Sequence, residues 1–213
     1  MRLVLRFLRD NSLSLVFFSL FIIALAGTTF SGLDQYNRQL ADYGFSPVAY
    51  WPYLHTGNFL DGIFSNWQAA ILQLGALIYL GAVLHQKGAP HSRKLPGRSM
   101  ELRHPLKGFR ASWLYRNSLA IAFLLMFAAS FLAHLCFGAK AYNEQGALLH
   151  KPAVPLGAYF RSSAFWFTVM QTWEAEFVAI AIYVVMSIYL RQQGSPESKP
   201  VEAKNSTTGE SNK

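Results

Sequence analysis

Two carboxylates, Glu174 and Glu176, stand beside Trp173 at the head of an apolar run and are the groups best suited to proton or cation chemistry. An ionised side chain facing lipid costs about 2.5–3.5 kcal/mol, so a carboxylate inside a span normally meets a wet cavity or a partner. The plainer alternative is that both sit at headgroup level, where Trp173 favours the interface. Residues i and i+2 of a helix point roughly 200° apart, so the pair cannot serve one cavity. Glu176, the deeper of the two from Trp173, is expected to face a polar path and Glu174 to be solvated. Gln73 and His134 are the other polar groups inside apolar stretches. Each needs a partner there, and hydrogen bonding between helices is the ordinary role. His134 and His85 on facing spans would have the ligand types of a haem site, but one lies towards each edge of the bilayer. His134 and Cys136 are i and i+2 and diverge. The lone Cys136 excludes an internal disulfide. No Walker loop, GxGxxG, HExxH or GxSxG occurs, so no catalytic residue, cofactor or metal is expected.

These residues must be carried by membrane helices. The chain has 213 residues, 52% hydrophobic and only 14% charged, which is too apolar for an ordinary soluble domain. The apolar residues collect in four blocks that predict helices over about 13–33, 67–85, 119–139 and 173–190. Three of these match the roughly 20 residues that cross a bilayer; the last reaches that length only from Trp173. Phe59, Ile63, Phe64 and Trp67, and later Phe165, Val169, Met170 and Trp173, recur at helical spacing. They read as interfacial amphipathic segments feeding the following spans. Trp67, Trp173, Tyr36 and Tyr142 are the expected interface anchors. Asn11 or Ser12 is placed to cap the first span.

The sequence matches itself at an offset of 106 positions. Sliding 11–93 onto 117–199 gives 20 identities in 83 ungapped pairs, including Asn11/Asn117, Tyr36/Tyr142, Asn37/Asn143 and Gly88/Gly194. A match this long predicts duplication of a two-helix unit. The expected fold class is all-α membrane: four transmembrane helices as two tandem same-orientation two-helix repeats. The first repeat covers 1–98, a basic linker 99–116, the second repeat 117–199, and a disordered polar tail 200–213. Ala24, Thr28 and Gly32 form a small-residue stripe, matched by Ser130, His134 and Gly138. Such stripes let helices approach closely in lipid, and these two are expected to bring the first and third spans together.

Of the 19 Lys and Arg, 15 fall in 1–12, 86–116 and 191–213. Basic residues stay on the cytoplasmic side of short loops, so both termini and the central loop are expected inside, in a multi-pass protein of the cell (inner) membrane. The net charge of +8 is thereby a topology signal and not a mark of nucleic-acid binding. The first apolar block has the shape of a leader peptide, but its internal counterpart at 119–139 argues that it is retained.

The segments Arg9-Asp10-Asn11-Ser12-Leu13-Ser14-Leu15-Val16-Phe17, Tyr36-Asn37, Trp173-Glu174-Ala175-Glu176-Phe177 and Leu190 to Pro200 resemble an uncharacterised family of bacterial integral membrane proteins, domain-of-unknown-function family 6766. Thr172 and Glu174 depart from the family pattern. The resemblance implies a small multi-span protein and brings no activity or catalytic residue. Three functions follow in order of preference: a structural or accessory membrane component packing against lipid or a membrane-protein partner; a small oligomeric transporter or channel using Glu176, Gln73 and His134; and a membrane redox or lipid-modifying enzyme. The second needs a homo-oligomer, since four spans leave little room for a wet path in one protomer.

Overall fold

The computed structural model describes residues 2–92 and 112–208. Among them there is no strand, and eight helices follow in order: α1 (Arg2–Asp10), α2 (Ser12–Asp42), α3 (Tyr50–Leu54), α4 (Gly57–Val83), α5 (Trp113–Arg116), α6 (Ser118–Leu148), α7 (Leu156–Phe160) and α8 (Ser163–Tyr189). Four of them, α2, α4, α6 and α8, are long and apolar enough to cross a membrane. No more than 17% of the most apolar window of any of the four is buried. Phe17, Phe18, Ile23, Leu124, Leu125, Leu132, Phe167 and Ile182 all stand open on their helices. Water would not tolerate that surface; hydrocarbon does, and a chain that leaves it open is compatible with a multi-pass membrane protein.

The long helices outrun the apolar blocks. α2 and α6 have 31 residues each, about 46 Å at 1.5 Å per residue, against about 30 Å of hydrocarbon. Their last turns are polar and carry ion pairs at i,i+4: Asp34 with Arg38 at 2.8 Å, and Lys140 with Glu144 at 3.7 Å. Likewise α4 and α8 begin at Gly57 and Ser163. The aromatic segments expected to lie at the interface as separate elements are instead the first turns of α4 and α8. Pro52 is accommodated in the first turn of α3, where its missing N–H costs no helical bond.

The elements of the two halves have bounds 106 positions apart, Ser12–Asp42 against Ser118–Leu148, Tyr50–Leu54 against Leu156–Phe160, and Gly57–Val83 against Ser163–Tyr189. Local hydrogen bonds recur at the same offset. Asn11 does not cap α2: its side chain donates back to the Phe7 carbonyl at 2.9 Å, closing α1, and Asn117 does the same to Trp113 at 2.8 Å. Asn37 clasps both the N–H and the carbonyl of Val48 at 2.8 and 3.0 Å, and Asn143 clasps Val154 at the same two distances. Left-handed φ follows too, 78° at Gly44 and 53° at His150, 87° at Gly88 and 80° at Gly194. Glycine meets that geometry without steric cost.

The described residues fold as two compact units, one within 1–62 and 136–156, the other within 63–135 and 157–213. In the first, Tyr53 is buried, its ring 5.6 Å from Tyr36 and 5.2 Å from Phe59. Burial, and then Tyr36, raise the Tyr53 pKa above that of a free tyrosine. Gly32 gives its hydroxyl room, since a Cβ there would overlap Tyr53 Oη. The start of α4 lies against the backbone of α6 at Ala141. In the second unit, Phe165 is fully buried, with Phe131, His134, Tyr159, Phe160 and Trp166 around it at centroid distances of 5.1–5.7 Å.

Beyond α8 the chain follows a series of turns as far as Thr208, and the Lys199 ammonium donates to the carbonyls of Gly88 at 2.6 Å, Ile188 at 3.0 Å and Asn205 at 3.1 Å. A cation suits the carbonyl-rich ends of helices. The expected linker at 99–116 lies outside the described residues up to 111; α5 and its flanking residues are described.

The Gly57 crossing sets a test. A Cβ at Gly57 would overlap the main-chain nitrogen of Ala141, whereas one at Gly62 meets nothing within 4 Å. Gly57→Ala is expected to lower stability by about 1–3 kcal/mol through overpacking, and Gly62→Ala to raise it by about 0.5–1 kcal/mol through helix propensity. Thermal unfolding in detergent separates them, and equal melting temperatures would remove the crossing.

Candidate functional site

The polar groups of the second unit converge on a seam between α4 and α8. Gln68 is fully buried in the fourth turn of α4. Its Oε1 accepts the indole N–H of Trp173 at 2.8 Å, and its Nε2 donates to the Thr172 hydroxyl at 3.2 Å and the Ser65 carbonyl at 3.1 Å. The Thr172 hydroxyl lies 3.0 Å from the carbonyls of both Thr168 and Val169 and shares its one proton between them. One turn further on, Gln73 Nε2 donates to the main-chain carbonyl of Glu176 at 2.9 Å. That carbonyl has two lone pairs and serves both its own helix and the neighbour. Two glutamines of α4 therefore tie this helix to α8 through amide, hydroxyl and indole groups.

Each residue singled out in the sequence has a definite place. Gln73 and Trp173 belong to the seam, where the Trp173 indole is hydrogen-bonded. Glu176 contributes its carbonyl; its side chain is half-buried and that of Glu174 is exposed. Neither carboxylate has an ion-pair partner among the described residues. Both lie well inside α8 and not at the head of a helix, because α8 starts at Ser163. His134 is fully buried and stacks on Phe165 at 5.1 Å and 26°, the packing role of an aromatic ring. Ser130, His134 and Gly138 lie on the buried face of α6, but Ala24 and Thr28 are exposed on α2 and the buried threonine is Thr29. Gly32 receives Tyr53. Tyr36 is half-buried, Tyr142 exposed, and Trp67 packs edge-on against Phe64 at 5.6 Å. Among the described residues no three His, Cys, Asp or Glu side chains are grouped to hold a metal.

A separate cavity of about 150 Å³ opens in the first unit, lined by Tyr36, Gln39, Asn58, Glu144, Gln145 and Leu148. Glu144 Oε2 accepts the Gly57 N–H at 2.8 Å, and Lys140 stands 3.7 Å from its other oxygen while donating to the His55 carbonyl. A carboxylate at a helix start answers the partial positive charge there. Glu144 is thus spent on holding α4 to α6, and the cavity offers amides and a phenol for a neutral polar solute or water. Sequence reasoning passed over Glu144, Gln39, Gln145 and Gln68. Gln39 and Gln145 were visible as identical residues at the 106 offset; Glu144 carried no such signal.

The seam makes a measurable coupling. Gln68→Leu and Trp173→Phe are each expected to destabilise the protein in detergent, since the first strands a half-buried indole N–H and the second a fully buried amide oxygen. The double variant is expected to lose less than the sum, by about 0.6 and at most about 1.7 kcal/mol, the range for hydrogen bonds between membrane helices. Strict additivity in the thermal data would cut the Gln68–Trp173 bond from the account.

The chain belongs to the family described as "Domain of unknown function (DUF6766)", whose family model matches residues 4–210, nearly the whole chain. No curated protein and no solved structure matches it.

Proposed function

We propose that the protein is a structural or accessory component of the cell membrane, built as two tandem two-span repeats of the same orientation with both termini cytoplasmic, and acting by packing against lipid or a membrane-protein partner. The observation that carries this reading is where the polar groups go. Gln68, Gln73, Thr172 and Trp173 are bonded to one another or to backbone, while the flanks of the long helices present apolar side chains outward. A bundle that spends its polar groups on holding itself together and offers apolar flanks is suited to lateral contact. The matching element bounds and recurrent hydrogen bonds at an offset of 106 support the duplication. Two spans per repeat return the chain to the side on which it began, which supports a common orientation. The 15 of 19 basic residues near the termini and the central loop support the cytoplasmic assignment. Reporters fused after Arg98 and after Lys199 are expected to be active in the cytoplasm, and one near Thr56 outside; an external Arg98 fusion would overturn the topology.

One observation favours a second reading, an oligomeric transporter or channel. A span of about 20 residues placed anywhere within Ser163–Tyr189 contains both Glu174 and Glu176. Carboxylates at that depth call for water or a partner. On this reading light scattering of the purified protein gives a homo-oligomer, and Glu176→Gln abolishes proton- or cation-coupled flux in liposomes while Glu174→Gln retains it. A monomer with no flux returns both residues to the accessory reading.

A further inference from the structure

A groove of about 500 Å³ runs along the last half of α8 and continues past its end. Ala179, Ile182, Tyr183, Met186, Ser187 and Leu190 line it, at i, i+3, i+4, i+7, i+8 and i+11, so they form one helical stripe. The stripe is about 16 Å long at 1.5 Å per residue and mostly apolar. At its far end the lining changes abruptly to Arg191, Gln192, Ser195, Glu197 and Ser198.

Charge at that end is unbalanced. Arg191 donates through Nη1 to the carbonyls of Ile188 and Leu190, and through Nη2 to the Ala203 carbonyl and Asn205 Oδ1. Its Nε is buried and has no acceptor among the described residues. Lys199, only 3% exposed, is held by carbonyls alone. Among the described residues neither cation has a carboxylate within ion-pair distance. Glu197, the groove's own carboxylate, is engaged by the Tyr183 hydroxyl at 3.3 Å and by His91 at 3.4 Å. Carbonyl dipoles stabilise two cations without cancelling their charge.

We propose that this groove binds one anionic glycerophospholipid, its phosphate at the Arg191, Ser195 and Ser198 end and an acyl chain along Ala179, Ile182 and Met186. Basic groups at the end of a span attract anionic headgroups, and the apolar stripe starts where the polar lining stops. A free phosphate would satisfy Arg191 and leave the stripe open; a neutral lipid would do the reverse. Only an amphiphile with a negative head matches both ends. The inference rests on the membrane reading, not on the orientation of the termini or on any activity.

The test uses the full chain purified in detergent and delipidated, titrated with phosphatidylglycerol or phosphatidylcholine and read by native mass spectrometry. One phosphatidylglycerol per chain is expected to bind about tenfold or more tighter than phosphatidylcholine. Ile182→Trp, which fills the stripe without touching a charge, and Ser195→Asp, which repels a phosphate, are each expected to remove that preference. Leu124→Trp, on the exposed flank of α6, is expected to keep it. Equal binding of the two lipids overturns the proposal, as does full retention by Ile182→Trp. Displacement by inorganic phosphate overturns it in favour of a simple anion site, and a second copy of the chain on the groove in place of lipid overturns it in favour of a dimer contact. A chain that stays soluble without detergent would refute the membrane reading itself; a detergent-dependent chain with no lipid preference refutes this proposal alone.

Discussion

In hydrocarbon a buried amide has no water to fall back on, and the structure turns on how Gln68 meets that constraint. Its oxygen and nitrogen are both engaged, by the indole of Trp173 on one side and by Thr172 and Ser65 on the other. The hydrophobic effect does not drive apolar helices together in lipid, so a pair of spans is fixed by close packing and by polar groups that cannot be left unmet. Gln68 and Gln73 fix α4 to α8 at two levels. The Phe165 cluster, with His134 stacked on Phe165, then fills the space beside them with packed rings. Glycine does the corresponding work in the first unit, where Gly57 lets α4 come close to the backbone of α6 and Gly32 makes room for Tyr53.

The position of a polar group along its helix decides what it can do. With α8 starting at Ser163, Glu174 and Glu176 move from the head of a span into its body, and the difference is chemical. At the head they are ordinary solvated acids. In the body one of them sends a carbonyl into the seam and the other leaves a carboxylate on an apolar flank. The cavity beside Tyr36 is a different case, because Glu144 is hydrogen-bonded to the N–H of Gly57 and ion-paired with Lys140.

Much of the fold was legible in the sequence, because hydropathy reports the environment of a span directly. The four apolar blocks fall largely inside α2, α4, α6 and α8. Their ends were not legible, since a helix needs only its own i to i−4 hydrogen bonds to continue into water. Polar turns such as Asp34–Asp42, and aromatic ones such as Phe59–Trp67, look like loop or interface until the backbone is seen. Gln73 advertised its need for a partner, whereas Gln68, at the polar head of its apolar block, did not. The bonds that matter to both join positions more than a hundred residues apart. Identity at the 106 offset was the most informative internal signal. It marked Asn37 and Asn143, which clasp Val48 and Val154, and Tyr53 and Tyr159, which are both buried. The turns of the tail were hidden because composition alone does not register a single lysine seated among carbonyls.

The Gln68 bond is tested most directly by the exchange of the Trp173 indole proton, read by NMR on protein labelled at its five tryptophans and held in lipid nanodiscs. The indole of Trp173 is bonded to a fully buried amide, whereas Trp51 is 71% exposed on a short helix outside the long ones. The Trp173 proton is expected to exchange far more slowly than that of Trp51, and to quicken when Gln68 is replaced by Leu. A Trp173 indole that exchanges as fast as Trp51, with or without Gln68, would contradict it.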